Sequence, residues 1–420
     1  MKNVDARDRS DGDGMDGVGG VNISAPQHRP EQPKQSAGLS RGQRLAPLDG
    51  IRGLAVIAVL LYHASVLRGG YLGVDVFFVL SGFLITVLLA EEHERTGGIS
   101  LRSFWLRRGI RLLPALAGYL LFGLVAAVAL KPVHDQQQYA IDAATSFFGV
   151  NNWWRIVGGE EAAGAWDGHL WSLSVEAQFY LMWPAVVVAL LAVGRRVRRI
   201  ALTGLIGVVV LWRLAVMLGL SGLPIDAHSY FGTDTRADAL LIGALLAVLW
   251  REGVLHRWST RIWGAASAAA WLLLITAMLF SPTLEEHPRW LGYGGFTLLA
   301  LVAAVAVAGP VLAPGRGMSR LLAWPPVVWL GGISYALYLW HFPITIELEG
   351  RFGDQFGHLP VALVALLIAA GFAWLSGKFV ERPVSRRRRS LQRWLIRPVG
   401  PVAAARRVWS PKTWGLSRKT

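Results

Sequence analysis

LDGIRGLAVIAVLLYHAS, residues 48–65, is an apolar run long enough to open a membrane-spanning helix, yet it carries Arg52 near its head and His63 well inside it. Ionisable groups in lipid are costly and persist where they find partners or perform chemistry. Eleven residues separate the two, almost three helical turns and roughly 17 Å of rise. Both side chains therefore lie on one face of one helix.

The rest of the chain has the same character. Its 420 residues are 53% hydrophobic and 16% charged, the profile of an all-α polytopic membrane protein. Nineteen Trp suit a protein with two lipid interfaces. The absence of cysteine excludes disulfides, cysteine metal sites and a cysteine nucleophile. The histidines are scattered, without a ligand spacing such as H-E-x-x-H, so no metal is expected.

Residues 1–45 are polar, rich in Gly, Asp, Arg and Pro, and are expected to be disordered. They lack the short apolar run of a signal peptide. The net charge is +15, and after Glu381 there is no acid and there are twelve Lys or Arg. The tail 384–420 is therefore read as a basic cytoplasmic segment that orients the protein and meets anionic lipid, not nucleic acid.

Ten apolar stretches are expected to span the membrane: 50–68, 71–91, 112–130, 171–194, 200–220, 237–251, 262–280, 291–310, 327–346 and 360–378. The sixth is short. Basic segments such as RRVRR and RPVSRRRR follow the even spans, while SPTLEEH and ELEGRFGDQ follow odd ones. That alternation is the positive-inside pattern, with both termini cytoplasmic. No second soluble domain is expected.

With that orientation, His63 lies in the outer half of the bilayer. Asp75 in the second span and Glu176 in the fourth reach a similar depth. Ser172, Glu176 and Tyr180 are spaced by four and share a helix face. Asp234, Arg236 and Asp238 stand at the outer mouth of the sixth span, and His341, with Tyr338 one turn behind, in the ninth. Each alone could be a cap, an ion pair or a snorkelling side chain. A shared depth implies a clustered polar site. On the inner side, FWLRRGIRLLP carries Arg107, Arg108 and Arg111. They serve either as topology signal or, with Arg52, as an anion clamp, since guanidinium forks suit phosphate oxygens.

These elements together closely resemble the bacterial acyltransferase-3 family of integral membrane O-acyltransferases. The resemblance rests on Arg52 and His63, GYLGVDVFFVLSGFLIT, RRGIRLLP, WSLSVEAQFY, TDTRADALLIGALLA, SYALYLWHFPI and the closing ERP at Glu381–Pro383, over about 46–383. It implies transfer of an acyl group, often acetyl, from acyl-CoA to the hydroxyl of a cell-surface carbohydrate or a macrolide-like acceptor, in the bacterial cell membrane. It carries the family's essential Arg and His onto Arg52 and His63, its arginine motif onto Arg108 and Arg111, and its Glu onto Glu176. Ala177 stands where a second acid is expected. Some relatives append an extracytoplasmic esterase-like domain, expected here to be separate or absent.

In such a scheme His63 is general base on the hydroxyl, or carries the acyl group itself, and must be neutral. Glu176 or Asp75 is the expected orienting carboxylate. Ser172, Tyr338 and Arg236 are candidate oxyanion donors, and the segment 131–168 and the mouth 222–236 are expected to shape the acceptor site. A transporter using an intramembrane His/Asp/Glu relay is the rival, though no inverted repeat is evident. A non-catalytic scaffold is a third reading.

Overall fold

The computed structural model describes residues 46–130, 133–158, 168–286 and 288–386. The segment 1–45 and nearly all of the basic tail lie outside the described residues. Helix α1 spans Ala46–His63, α2 Gly73–Thr96, α3 Leu101–Leu130, α4 Val133–Phe147, α5 Asn151–Val157, α6 Trp171–Ala192 and α7 Arg195–Met217. Then come α8 Ile225–Phe231, α9 Thr233–Arg251, α10 Thr260–Phe280, α11 Gly295–Leu312, α12 Met318–Leu322, α13 Pro325–Phe356, α14 His358–Ser376 and α15 Arg382–Arg386. Strands are absent among the described residues. The protein is all-α and polytopic.

Among the described helices, nine are long and apolar enough to cross a membrane: α1, α2, α3, α6, α7, α10, α11, α13 and α14. The sixth expected span is α9, whose first two turns hold Asp234, Arg236 and Asp238. Those charges keep it outside the apolar set, but the packing requires it to traverse the bundle. Arg52 of α1 meets Ser334 of α13, and His63 meets His341 further along both helices, so α1 and α13 run in the same direction. An odd number of crossings must lie between them. The apolar set supplies six, and α9 is the seventh.

α9 sits against α2, α7 and α11 and is buried along most of its length. Gly82 and Gly243 allow its approach to α2. A Cβ on Gly82 would lie 1.9 Å from the Leu240 carbonyl oxygen, and one on Gly243 would lie 1.9 Å from that of Val79. The outer helices instead expose apolar side chains, such as Leu211 of α7 at 67% and Leu367 of α14 at 73%. In lipid that exposure carries no hydrophobic penalty.

Two helix ends differ from expectation in ways that shape the site. α1 was expected to run to residue 68. It stops at His63, and Ser65 adopts φ 56°, the left-handed conformation of a helix cap. The Val66 and Leu67 amides both donate to the Leu61 carbonyl, satisfying that helix end. His63 thus closes α1 rather than lying well inside it. α3 begins eleven residues before the expected span, so Arg107, Arg108 and Arg111 belong to a continuous helix that starts at Leu101.

Candidate active site

At the end of α1, His63 Nδ1 lies 3.1 Å from His341 Nε2 of α13. His341 Nδ1 lies 2.7 Å from the Tyr338 carbonyl oxygen. A carbonyl only accepts, so His341 must carry its proton on Nδ1. When neutral, its Nε2 is then an acceptor, and His63 must donate from Nδ1. That leaves His63 Nε2 with a free lone pair. His341 is fully buried, while His63 keeps part of its surface exposed. The pair is one imidazole held in place by a second. Neither Glu176 nor Asp75 bonds to it, which corrects the expectation of an orienting carboxylate.

A third imidazole completes this centre. His169, in the short 3-10 turn Gly168–Leu170 ahead of α6, lies with its ring centroid 5.3 Å from that of His341. It stacks on Phe342 at 4.8 Å, and His63 meets the same Phe342 ring edge-on at 4.7 Å. Sequence reading passed over His169. Its one signal was a further histidine at the head of α6, three residues before Ser172.

Ser172 and Tyr338 are both buried here, but in another role than acceptor contacts. Their hydroxyls lie 2.7 Å apart, and Tyr338 Oη donates to the His169 carbonyl oxygen at 2.9 Å. Their hydrogen bonds hold the backbone of the His169 turn.

Arginines gather at the opposite end of α1. Arg52, Arg107, Arg111, Tyr335, Glu381 and Arg382 line an open cavity of about 380 Å³. That is within the range of small-molecule sites, about 300–1,000 Å³. Arg107 is ion-paired with Glu92 at 2.5 Å, at the rim. Arg52 Nε donates to Ser334 Oγ at 3.2 Å, and neither Arg52 nor Arg108 has a carboxylate at ion-pair distance among the described residues. Both are thus open to an anion. Arg108 lies over the Tyr180 ring at 5.6 Å.

Between the two ends lies a narrower cavity of about 60 Å³, bordered by Arg52, Arg108 and Glu176 and by Ser172 and Tyr338 beneath the histidines. It has room for about two waters. Any chain-like ligand reaching from arginines to histidines must displace side chains here. Glu176 accepts from Ser81 at 2.7 Å and from Tyr180 at 2.9 Å, so it belongs to this passage.

The remaining charges form a separate buried network. Arg236 donates to Asp75 at 2.7 Å and stacks 3.5 Å over the Phe296 ring. Arg213 bonds to Asp238 at 2.9 Å, and Thr297 donates to Asp238 at 2.6 Å. Asp234 accepts from Trp212 at 2.6 Å and lies 2.9 Å from His228 Nε2. The expected single polar site at one depth is thus split. Arg213, on α7, was not anticipated. The cost of an unpaired charge gathers these groups in pairs.

Comparison with known proteins agrees with this architecture. An acyltransferase-domain family model, that of acyltransferase-3, matches residues 45–377. The O-acetyltransferase OatA of Staphylococcus aureus strain NCTC 8325 is 34% identical over 359 residues, covering 82% of this chain and 57% of that protein. A protein of Staphylococcus aureus strain COL bearing the name "Putative O-acetyltransferase" is 35% identical over 350 residues, covering 80% of this chain and 56% of its own. The chain therefore spans little more than half the length of these relatives. No solved structure matches it. A family-model match across most of the membrane part, with relatives above 30% identity over four-fifths of the chain, means that the chain belongs to the acyltransferase-3 family.

Proposed function

We propose that the protein transfers an acyl group, acetyl in the simplest case, from acyl-CoA to a hydroxyl of a cell-surface carbohydrate or a macrolide-like molecule, in a bacterial plasma membrane. The observation that carries this reading is the single helix α1, with an unneutralised Arg52 at one end and a His63 with a free Nε2 at the other. The donor's phosphates sit in the arginine-lined cavity and its pantetheine arm passes Glu176 toward His63. Ser334 and Tyr335 move aside to admit it. Anionic lipid meets the basic tail.

His63 Nε2 takes the proton of the acceptor hydroxyl as its oxygen adds to the thioester carbonyl carbon. The carbon–sulfur bond then breaks. The leaving thiolate takes the proton back from His63, giving free coenzyme A and an ester. The positive charge held meanwhile on His63 is shared with His341, whose Nδ1–H bond to the Tyr338 carbonyl strengthens as it gains charge.

The test is thiol release by purified protein in lipid, given acetyl-CoA and a panel of hydroxyl acceptors. The chain has no cysteine, so a thiol reagent reads only coenzyme A. Acceptor-dependent release that His63→Ala abolishes is expected, with Arg52→Ala acting mainly on donor affinity. Equal turnover by His63→Ala rules the scheme out. A transporter would move labelled compound without releasing thiol. Asp75, Asp238, Arg213 and Arg236, which a relay would use, are instead engaged in buried pairs.

A further inference from the structure

The acyl-transfer reading leaves the developing negative charge on the acyl oxygen without a partner. Ser172 and Tyr338 are committed to one another and to the His169 carbonyl. Arg236 is ion-paired with Asp75 and stacked on Phe296, on another helix from the imidazoles. His169 is the least committed of these groups, with only the Leu339 backbone near enough for a polar contact with its ring. Both of its ring nitrogens are buried without a hydrogen-bond partner, and the residue is 3% exposed. A phenylalanine would fill that space without leaving a polar group unsatisfied.

The surroundings hold that ring in place. Phe342 stacks on it at 4.8 Å, and Tyr119 meets it edge-on at 6.0 Å. Its backbone carbonyl is fixed by Tyr338. The Arg155 guanidinium approaches Gly168 closely, so that a Cβ there would lie 2.5 Å from it. That close approach brings a fixed positive charge to the same turn. His63 and His169 both flank Phe342 and both neighbour His341.

We infer that His169 is the hydrogen-bond donor to the acyl carbonyl oxygen, a catalytic residue distinct from the base. The inference rests on the acyl-transfer reading above. A neutral imidazole has one N–H in either tautomer, so it can donate without being charged. As the acceptor oxygen bonds to the carbonyl carbon, the carbonyl π pair moves onto oxygen and is held by that N–H. When the carbon–sulfur bond breaks, the pair returns to re-form the carbonyl. No proton passes to or from His169.

The experiment is thiol release under saturating acetyl-CoA by wild type, His63→Ala, His169→Phe and His169→Gln, with acetyl-CoA affinity and thermal midpoint measured on each. His169→Phe keeps the stacking and the backbone clamp. Its kcat is expected to fall by about 10²–10³, the usual effect of removing one oxyanion donor. Its acetyl-CoA Kd should stay within about twofold and its midpoint should not fall. His169→Gln, which keeps an N–H, should retain more turnover than the Phe variant. Turnover within threefold of wild type in His169→Phe overturns the inference while leaving the His63 scheme standing. So does a loss of turnover that merely follows lost donor affinity or a lowered midpoint. Should the Phe variant not fold, a Gln variant that folds and turns over no better than His63→Ala overturns it equally. A wild type that neither binds acetyl-CoA nor releases thiol with any acceptor defeats the acyl-transfer reading itself and this inference with it.

Discussion

The proton arrangement of His63 is set from another helix: by the Tyr338 carbonyl, acting through His341. The carbonyl sets the His341 tautomer, and His341 sets that of His63. Replacing His341 by Ala should leave His63 free to rotate and to place its proton on either nitrogen. The expected result is a fall in kcat of about 10²–10⁴, the range of general-base contributions, with acetyl-CoA Kd unchanged. His341→Gln offers a side-chain oxygen to accept from His63 Nδ1–H, and should recover part of the loss. Equal kcat in both variants and wild type would mean that His63 needs no orienting partner. At this scale Arg52 and His63 were legible because helical spacing alone puts them on one face. His341 as a partner was not, since its contact depends on how α13 is set against α1. His169 was invisible because its value lies in an unsatisfied ring, which no spacing reports.

Between elements, the contact of α1 with α13 determines whether both ends of the site form together. It brings Ser334 to Arg52 and His341 to His63. The helices approach through glycine: a Cβ on Gly331 would lie 1.7 Å from the Asp49 carbonyl oxygen. Gly331→Ala should force them apart and cost about 1–3 kcal/mol, as overpacking does, read as a lower unfolding midpoint in detergent. Both donor affinity and kcat should fall with it, unlike the single-site variants. A second contact lies outside the spans. Asp142 of α4 accepts from the Trp154 indole of α5 at 2.8 Å, and burial pushes its carboxyl up to about 6. A carboxyl raised in the fold binds its proton more tightly there than in the unfolded chain. Its contribution is therefore fully present below about pH 4 and is lost as pH rises through about 6. Asp142→Asn keeps an oxygen for Trp154 and removes the titration. The variant should gain midpoint relative to wild type at pH 7 and lose that advantage toward pH 4. A constant difference across this range would remove Asp142 as the cause. The apolar spans were readable from composition, whereas the early stop of α1 was not: it is marked by the left-handed Ser65 and the Val66 and Leu67 amides turned onto Leu61, not by any loss of apolar character.

Across the whole molecule, the alternation of basic and acidic loops implies that the arginine-lined cavity opens to the cytoplasm and the histidine centre lies toward the outside. The parity of the bundle supports a ten-crossing path with α9 among the crossings, but parity alone gives no absolute direction. The cysteine-free chain allows a clean measurement of it. Arg196, at the start of α7, and Glu285, in the short turn after α10, are both exposed and belong to loops of opposite charge character. Arg196→Cys and Glu285→Cys each introduce a single thiol. In intact cells a membrane-impermeant maleimide should label Glu285→Cys and leave Arg196→Cys unlabelled until the membrane is opened. In sealed vesicles with the opposite sidedness the labelling should reverse, and acetyl-CoA added outside should then support thiol release. The converse pattern would put the arginines on the outer face, where no acyl-CoA pool would meet them, and the donor would have to be sought among extracytoplasmic acyl carriers. Charge asymmetry, a property of loops, thus decides which chemical pool the buried residues can draw upon.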